Sequence, residues 1–497
     1  MDILRALIAL SPILICAILI ALFKKSAVFG ASVGITLALV FTLYHNLAFF
    51  SVINLIEVSQ SSIILTLSAV TVIIPGLYLN NILREQGILS GIVEWINNLR
   101  ISSEVKALFL LLGVLPALES LTGFGVSLFL GVPVFLRLFE SRKAYKLSML
   151  GMNAMPWGTL ALATILGASI SGYNAVQLAE STAKISALVF PIIGCIGLFV
   201  IGGRPLVIRH GIIATIIGLS LSGFLYLFAW LNVVEISGVV AGIIVASLIY
   251  LLLGKYKSSN SKQVTPSMPQ LHVFKLFYPY LMVLALVCFT RVVSPLTRFL
   301  NTNFVIRSEH LSLAILSSPG VILALTSIVM LLLNPKIQLK HRIIWKRGQV
   351  SGLNLFLFIL LSQLMNQSGL IDIIVQVVAQ VNNHFLLFLI APLAGMLSGF
   401  ITGSTVGGNA LMMHIQQQIG ASYDHGLLFS ALQNSSAGHA ALSSLSIIVL
   451  VLTIGKDFAS DDGKLINESY LLRFGLKSLL LIYIALVISF MLQYYCF

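Results

Sequence analysis

The stretch Leu115-Pro-Ala-Leu-Glu-Ser-Leu-Thr-Gly-Phe-Gly125 places one carboxylate, that of Glu119, between the apolar runs 106–118 and 126–139. Moving a charged side chain to the centre of a bilayer costs about 3 kcal/mol or more, so acids at that depth are usually functional. The two glycines that follow Glu119 interrupt a continuous helix. The stretch therefore predicts a functional break within a membrane-embedded segment.

The whole chain has the composition of a polytopic membrane protein. Its 497 residues are 58% hydrophobic and 9% charged, and the mean hydropathy of +1.03 excludes a soluble protein. Runs long enough to cross a bilayer are residues 3–22, 27–44, 62–80, 146–170, 184–203, 211–231, 236–254, 276–293, 311–333, 350–368, 425–455 and 476–495. Two further apolar segments, 106–139 and 385–419, contain Gly, Ser and Thr at their centres. The predicted fold is an all-α polytopic membrane protein with about 12 transmembrane helices and two re-entrant hairpins in an inverted repeat.

The basic residues predict the orientation. Most of the 29 Lys and Arg residues fall in alternate loops, so the positive-inside rule accounts for the net charge of +13 without a nucleic-acid partner. The rule predicts a multi-pass protein of the cell (inner or plasma) membrane with both termini outside. It also requires each hairpin to return to the side from which it enters, the first cytoplasmic and the second external.

Sequence features that would indicate cleavage or a metal are not found. The first span is predicted to be retained, because no small-residue cleavage site follows Leu22 before Lys24 and Lys25. The four cysteines lack CxxC spacing, so neither a disulfide framework nor a zinc site is indicated.

Short motifs recur in the same order in both halves, which predicts an internal repeat. Gly87-Ile-Leu89, Leu121-Thr-Gly123 and Asn153 have counterparts in Gly369-Leu-Ile371, Ile401-Thr-Gly403 and Asn434. The predicted divisions are residues 1–61 (N-terminal helices), 62–203 (first repeat, with hairpin 106–139), 204–349 (intervening helices, with a cytoplasmic linker at 255–275), 350–469 (second repeat, with hairpin 385–419) and 470–497 (C-terminal helix). Inverted repeats with broken helices are the pattern of secondary transporters.

Backbone that leaves helical geometry inside a bilayer must be buried or line a cavity, so both hairpin tips are predicted to point inward. Tip amides and the positive end of the following helix attract an anion. Polar residues and a proline also predict that two spans are interrupted, at 153–158 and 433–438. The predicted substrate-binding residues are Ser120, Thr122, Gly123, Gly125, Asn153, Thr402, Gly403, Ser404, Thr405, Asn409, Asn434 and Ser435. Close helix packing and interhelical hydrogen bonding are the alternative roles.

Glu119 is the predicted carrier of a coupling proton, because desolvation disfavours its ionised form. The alternative is a carboxyl group held in one state by the hairpin amides. His414 and His439 are further titratable candidates inside apolar segments, with hydrogen-bonded packing as their alternative role.

At four segments the chain resembles the L-lactate permease family, within the broader group of ion transporters with inverted repeats and hairpins. The segments are Leu118-Glu-Ser-Leu-Thr-Gly-Phe-Gly125, Phe400-Ile-Thr-Gly-Ser-Thr-Val-Gly-Gly-Asn-Ala-Leu411, Gln417-Gln-Ile-Gly420 and Gly455-Lys456. The resemblance covers most of the chain and implies proton-coupled uptake of a short 2-hydroxymonocarboxylate such as L-lactate or glycolate. The family typically has Asp where Thr405 stands and Ser-Pro-Gln where this chain has Ser443-Ser-Leu445, which indicates a divergent member.

There are three alternative functions. A sodium-coupled transporter of another small carboxylate is the main alternative, since free carbonyls and Asn side chains suit Na⁺. A membrane hydrolase lacks its motifs, and a channel is more naturally built from subunits around a pore. The sequence thus predicts a transporter without enzymatic activity, cofactor or metal, whose partners are the carboxylate, H⁺ or Na⁺, membrane lipids and a possible second copy in a homodimer.

Overall fold

The computed structural model describes residues 2–44, 52–123, 125–254, 270–308, 311–381, 383–456, 458 and 466–496, and these are almost entirely helical. The helices are α1 (Asp2–Ala21), α2 (Ala27–Tyr44), α3 (Val52–Glu85), α4 (Ile88–Asn97), α5 (Ser103–Phe109), α6 (Leu115–Thr122), α7 (Val126–Leu138), α8 (Ser141–Leu150), α9 (Leu162–Ser171), α10 (Ala175–Ile185), α11 (Val189–Trp230), α12 (Val234–Leu253), α13 (Gln270–Val292), α14 (Ser294–Thr302), α15 (Pro319–Leu333), α16 (His341–Gln367), α17 (Leu370–Val381), α18 (His384–Thr402), α19 (Thr405–Ala421), α20 (Gly426–Ala441), α21 (Leu445–Gly455) and α22 (Glu468–Cys496). A π-helical turn (Leu110–Val114) joins α5 to α6, and β1 (Val305–Arg307) pairs antiparallel with β2 (Ser312–Ala314).

Ten helical stretches within the described residues are long and apolar enough to cross a membrane. This finding confirms an all-α polytopic membrane protein, although the number differs from the predicted 12. Two predicted spans, 184–203 and 211–231, fall largely within α11, which consists of two helical segments that meet at a sharp kink where Gly203 has a φ of 68° and a ψ of −161°. The first arms of both predicted hairpins, 103–122 and 384–402, are themselves among the ten. Re-entry of the hairpins therefore stays a prediction.

Several predicted boundaries differ from the structure. The predicted interruption at 433–438 is wrong, because α20 continues to Ala441 and the helix breaks only at residues 442–444. No proline disturbs the 433–438 segment, and the following helix begins where the Ser444 hydroxyl accepts the amide N–H of Ile447. The predicted span 311–333 is helical only from Pro319, after β2. Residues 255–269 of the predicted linker lie outside the described residues, and its last part belongs to α13.

The same order of elements occurs in each half. A long helix (α3 or α16) leads to a short amphipathic helix (α4 or α17), and then to two helices separated by a short break, α6 and α7 or α18 and α19. A second broken pair follows, α8 and α9 or α20 and α21. Within each of the first pairs the two helices contact each other, as the arms of a hairpin do.

Small residues allow α12 to approach the arm that carries Glu119. Gly238, Gly242 and Ala246 repeat every four residues along α12, a spacing that favours close helix contact in membranes. A Cβ atom at Gly242 would lie 2.7 Å from the backbone nitrogen of Ala117 and 2.7 Å from the carbonyl oxygen of Gly113. The first arm is thus braced along its length by α12.

Among the described residues the one ion pair joins α12 to α13. Arg291 Nη2 lies 2.8 Å from Glu235 Oε1, and both side chains are mostly buried. The same guanidinium donates to the hydroxyl and the carbonyl oxygen of Ser317, at 2.9 and 2.8 Å. Arg291 therefore ties together three segments that are distant in sequence.

Candidate functional site

The breaks of both hairpin pairs line one cavity of about 350 Å³. Residues of the first break and of the segment between α8 and α9 form one part of its lining, and residues 402–407 form another. The remaining surface comes from α2, α3, α16 and α21, through Ala27, Ile73, Ser351, Asn354, Leu355, Phe358, Ser446, Ile447 and Leu450. Residue 124, at the tip of the first break, is outside the described residues. We call this space the central cavity.

At the first break the carboxyl group of Glu119 lies against the N-terminus of α7. The Ser127 hydroxyl donates to Glu119 Oε2 at 2.7 Å, and the backbone N–H groups of Gly125 and Ser127 also donate to the carboxyl group. Gly125, with a φ of 77°, is the residue from which α7 starts. Glu119 is 2% exposed and is the only acid among the residues lining the central cavity. Its carboxyl group therefore lies where the α7 dipole would stabilise a negative charge.

The second break has a similar backbone but no internal carboxylate. Gly403 ends α18 with a φ of 66°, and α19 starts after Ser404. The Ser404 side chain makes no capping hydrogen bond, and the first turn of α19 contains no acidic residue. Residues 404–407 line the central cavity. The N-terminus of α19 therefore faces the cavity with amides that no side chain caps.

The break between α8 and α9 forms part of the cavity and is conformationally strained. Leu160 and Ala161 have φ angles of 45° and 56°, a left-handed conformation that costs side-chain-bearing residues about 1–2 kcal/mol each. Side chains satisfy carbonyl groups of this break: the Thr405 hydroxyl donates to Met155 O at 2.7 Å, and the Thr164 hydroxyl donates to Pro156 O at 3.0 Å. The two halves of the chain thus meet at this segment.

Behind the central cavity, the amides of Asn409 and Asn434 form a buried hub. Asn409 Nδ2 donates to Asn434 Oδ1 at 2.7 Å and lies 3.1 Å from Ala163 O. Asn434 Nδ2 lies 3.2 Å from Pro156 O, 3.1 Å from Thr164 Oγ1 and 3.2 Å from Thr182 Oγ1. Both asparagines are fully buried. The hub therefore connects the second repeat to the break in the first.

Of the predicted binding and coupling residues, seven line the central cavity. They are Glu119, Gly123, Gly125, Thr402, Gly403, Ser404 and Thr405. The other predicted residues lie elsewhere in the structure. Ser120 packs against Gly238 of α12, the Thr122 hydroxyl donates to Leu118 O within its own helix, and Asn153 Nδ2 donates at 2.6 Å to Leu111 O in the π-helical turn.

The predicted serine and histidines are also away from the central cavity. Ser435 and His439 Nε2 both contact the hydroxyl of Ser186, at 2.8 and 3.2 Å, and the His439 ring stands edge-on to Phe190. His414 Nε2 is buried without a hydrogen-bond partner. Within the described part of the chain no three or more His, Cys, Asp or Glu side chains are grouped to hold a metal ion.

Sequence reasoning missed several residues of the site. Ser127 binds Glu119, while Thr159 and Ser446 line the central cavity beside the two tips. Ser351 and Asn354 line it from α16. Ser351 and Asn354 are three residues apart in an otherwise apolar run, which puts both on one face of the helix. This spacing is the sequence signal that identifies them.

A small cavity lined by two helix breaks, within a chain that has ten apolar membrane-length helices, defines a membrane protein of the transporter class. The family model for L-lactate permease matches residues 5–497, so the chain belongs to the L-lactate permease family. Membership in this transporter family implies lactate transport across a membrane. A search of curated proteins finds no match to the chain.

Proposed function

We propose that this protein is a secondary active transporter that imports a short 2-hydroxymonocarboxylate, L-lactate or glycolate, by proton symport across the plasma membrane. The observation that carries the proposal is the pair of helix N-termini at the central cavity, one of which holds the Glu119 carboxylate while the other is uncapped. A volume of about 350 Å³ is enough for a solute of this size and some water.

The uncapped N-terminus of α19 is the proposed site of the substrate carboxylate. Backbone N–H groups and the helix dipole favour an anion there. No basic side chain lines the central cavity among the described residues, so the amides of 404–407 are its main source of positive potential. The Thr159 hydroxyl, which lines the cavity, is the proposed partner of the 2-hydroxyl group of the substrate, together with the Ser446 hydroxyl, which also contacts Ser444 Oγ at 3.1 Å.

Glu119 is the proposed proton carrier. Among the described residues it is the only acid lining the cavity, and burial favours its neutral form whereas the donors from residues 125 and 127 favour its ionised form. Opposing influences of this kind suit a group that gains and loses a proton during a cycle. One proton with one monocarboxylate moves no net charge, so the pH gradient and not the membrane potential would drive uptake.

The placement of basic residues supports the proposed orientation and the first re-entrant hairpin. Arg84 at the end of α3, Arg137 at the end of α7 and Arg342 at the start of α16 line the same cavity. Arg137, at the end of the hairpin, lines this cavity together with residues of α3 and α4, which precede the hairpin in the chain. This placement supports a hairpin whose two ends are close together. The positive-inside rule makes this end cytoplasmic and both termini external.

Exposed Cys496 allows a test of that orientation. A membrane-impermeant maleimide added to intact cells should label the protein, and a Cys496→Ser variant should not be labelled. Labelling only after permeabilisation would overturn the proposed external C-terminus.

Sodium coupling is the second candidate, and a specific observation favours it. Asn153 Oδ1 and Asn409 Oδ1 are buried and have no hydrogen-bond partner, and amide oxygens are suitable Na⁺ ligands. Asn434 is less suitable, since its amide oxygen already accepts a hydrogen bond from Asn409.

The deciding experiment measures uptake of radiolabelled L-lactate and glycolate into proteoliposomes. An inward proton gradient should drive accumulation above the external concentration, and an inward sodium gradient at equal pH should not. Accumulation driven by sodium alone would replace proton symport by the second candidate. Absence of saturable uptake under both gradients would refute a carboxylate substrate of this size.

The Glu119→Gln variant tests the proton carrier. The Gln side-chain oxygen still accepts the amides at the start of α7, so the fold should be kept, and binding and exchange of substrate should continue. Proton-driven accumulation should be lost. Glu180→Gln on α10, away from the cavity, is the matched control and should accumulate substrate normally. A Glu119→Gln variant that accumulates like the control would remove Glu119 from the coupling step.

A further inference from the structure

A second and larger cavity, of about 1140 Å³, is lined by five basic side chains and a single acid. The basic residues come from three helices: Arg84 from α3, Arg137 from α7, and Arg342, Lys346 and Arg347 from α16. The acid is Glu94 of α4. We call this space the basic vestibule.

The basic vestibule adjoins the central cavity. Ser351 of α16 and Leu450 of α21 line both spaces. Both residues belong to the second half of the chain, one to its long helix and one to its second broken pair. A solute leaving the central cavity past these residues therefore enters the vestibule.

Among the described residues, no ion pair neutralises the cations of the vestibule. Within the described ranges the sole ion pair is that of Arg291 with Glu235, which does not line this space. The guanidinium of Arg84 lies 5.7 Å from the centre of the Phe129 ring, a contact that leaves its charge in place. All five basic residues are exposed to the cavity or to solvent. A low-dielectric cleft lined by one sign of charge focuses the field and raises the local concentration of the opposite ion.

We propose that the basic vestibule is an anion-concentrating antechamber, a weak binding site for small carboxylates at the inner mouth of the transport path. This proposal depends on the proposed function only for the identity of the anion. The occupant is a small soluble anion and not a lipid headgroup, because the cations converge from three helices on a space that continues into the central cavity. In the inward-facing protein this site holds released substrate near the exit and sets the affinity on that side.

A charge-selective cysteine reaction tests the vestibule without requiring transport. Ser90 of α4 is exposed, lines only the vestibule and is close to Cys in size. Ser90→Cys is made in a Cys496→Ser background, whose unreplaced cysteines provide the blank. The rates of modification by an anionic and by a cationic methanethiosulfonate are compared in nanodiscs of phosphatidylcholine, with Ser422→Cys at the exposed end of α19 as the reference position.

The anionic-to-cationic rate ratio at Ser90→Cys should exceed that at Ser422→Cys by about tenfold at low salt and decline as ionic strength rises. Adding Arg137→Gln and Arg347→Gln should lower the ratio. Arg204→Gln with Arg209→Gln removes the same net charge elsewhere and should leave it unchanged. An equal ratio at both positions, or an equal loss with the control pair, would overturn the proposal.

Two further arms identify the anion. Millimolar glycolate or L-lactate should slow the anionic reagent at Ser90→Cys more than at Ser422→Cys. Phosphatidylglycerol in the nanodisc should not abolish the charge preference, and if it does, the vestibule binds lipid headgroups and the proposal fails. A normal rate ratio in a protein that transports no carboxylate would refute the proposed function alone, whereas a flat ratio in an active transporter would refute the antechamber alone.

Discussion

Replacing Asn434 by alanine should destabilise the protein, because four hydrogen-bonding contacts meet at its amide. Interhelical hydrogen bonds in membrane proteins contribute about 0.6 kcal/mol each on average, which gives about 2 kcal/mol for the four. Asn409 and Thr182 then lose partners in a dry interior, and an orphaned polar group costs about 1–3 kcal/mol. The expected loss in the free energy of unfolding is therefore about 3–5 kcal/mol.

The measurement is reversible unfolding in mixed micelles, followed by tryptophan fluorescence. One of the four tryptophans, buried Trp157, adjoins Pro156 in the broken segment. Ser362→Ala is the matched control, because its hydroxyl is buried on α16 without a hydrogen-bond partner. Removing that hydroxyl should leave stability unchanged or slightly raise it. If Asn434→Ala costs no more than Ser362→Ala, the asparagine hub does not hold the two repeats together and the reasoning is refuted.

Three other changes are predicted to affect stability. Gly242→Ala should lower the free energy of unfolding by about 1–3 kcal/mol, since its Cβ meets the backbone of the first arm. Gly223→Ala, whose Cβ meets no atom within 4 Å, should leave stability unchanged or raise it. Equal effects of the two changes in thermal unfolding would contradict this prediction. Arg291→Gln and Glu235→Gln in a double-mutant cycle should couple by about 1 kcal/mol in unfolding, and additivity would count against a stabilising pair. Ala161→Gly should raise the free energy of unfolding by up to about 1 kcal/mol, because glycine adopts this left-handed backbone without strain. A destabilised variant in calorimetry would contradict this prediction.

The sequence was sufficient to predict the helices and both hairpin breaks because these depend on local properties. Apolar runs fix the helices, and glycines at positive φ, such as Gly123 and Gly403, mark where they end. The second interruption was misplaced for the same reason. Asn434 is polar in an apolar run, but its amide bonds to other helices and does not disturb its own, so a polar residue alone does not indicate a break.

The other parts of the site depend on contacts between distant segments, which no local pattern reveals. Asn153 was predicted to face the substrate, yet it donates to Leu111 in a π-helical turn that the sequence did not indicate. Ser351 belongs to the cavity only because α16 packs beside the second break. The sequence places the basic residues in separate loops. Only the folded chain brings basic residues of three helices together at the basic vestibule.

The two breaks share a backbone arrangement and differ in charge, and this difference indicates how the site works. If both helix N-termini were uncapped, each would bind an anion equally well. If an acid capped both, the central cavity would repel an anionic substrate. Here Glu119 occupies one N-terminus and leaves that of α19 open. A second carboxylate in so small a cavity is repelled by Glu119 unless one of the two is protonated. We therefore propose that this geometry couples the arrival of a carboxylate to the arrival of a proton, as the proposed proton symport requires.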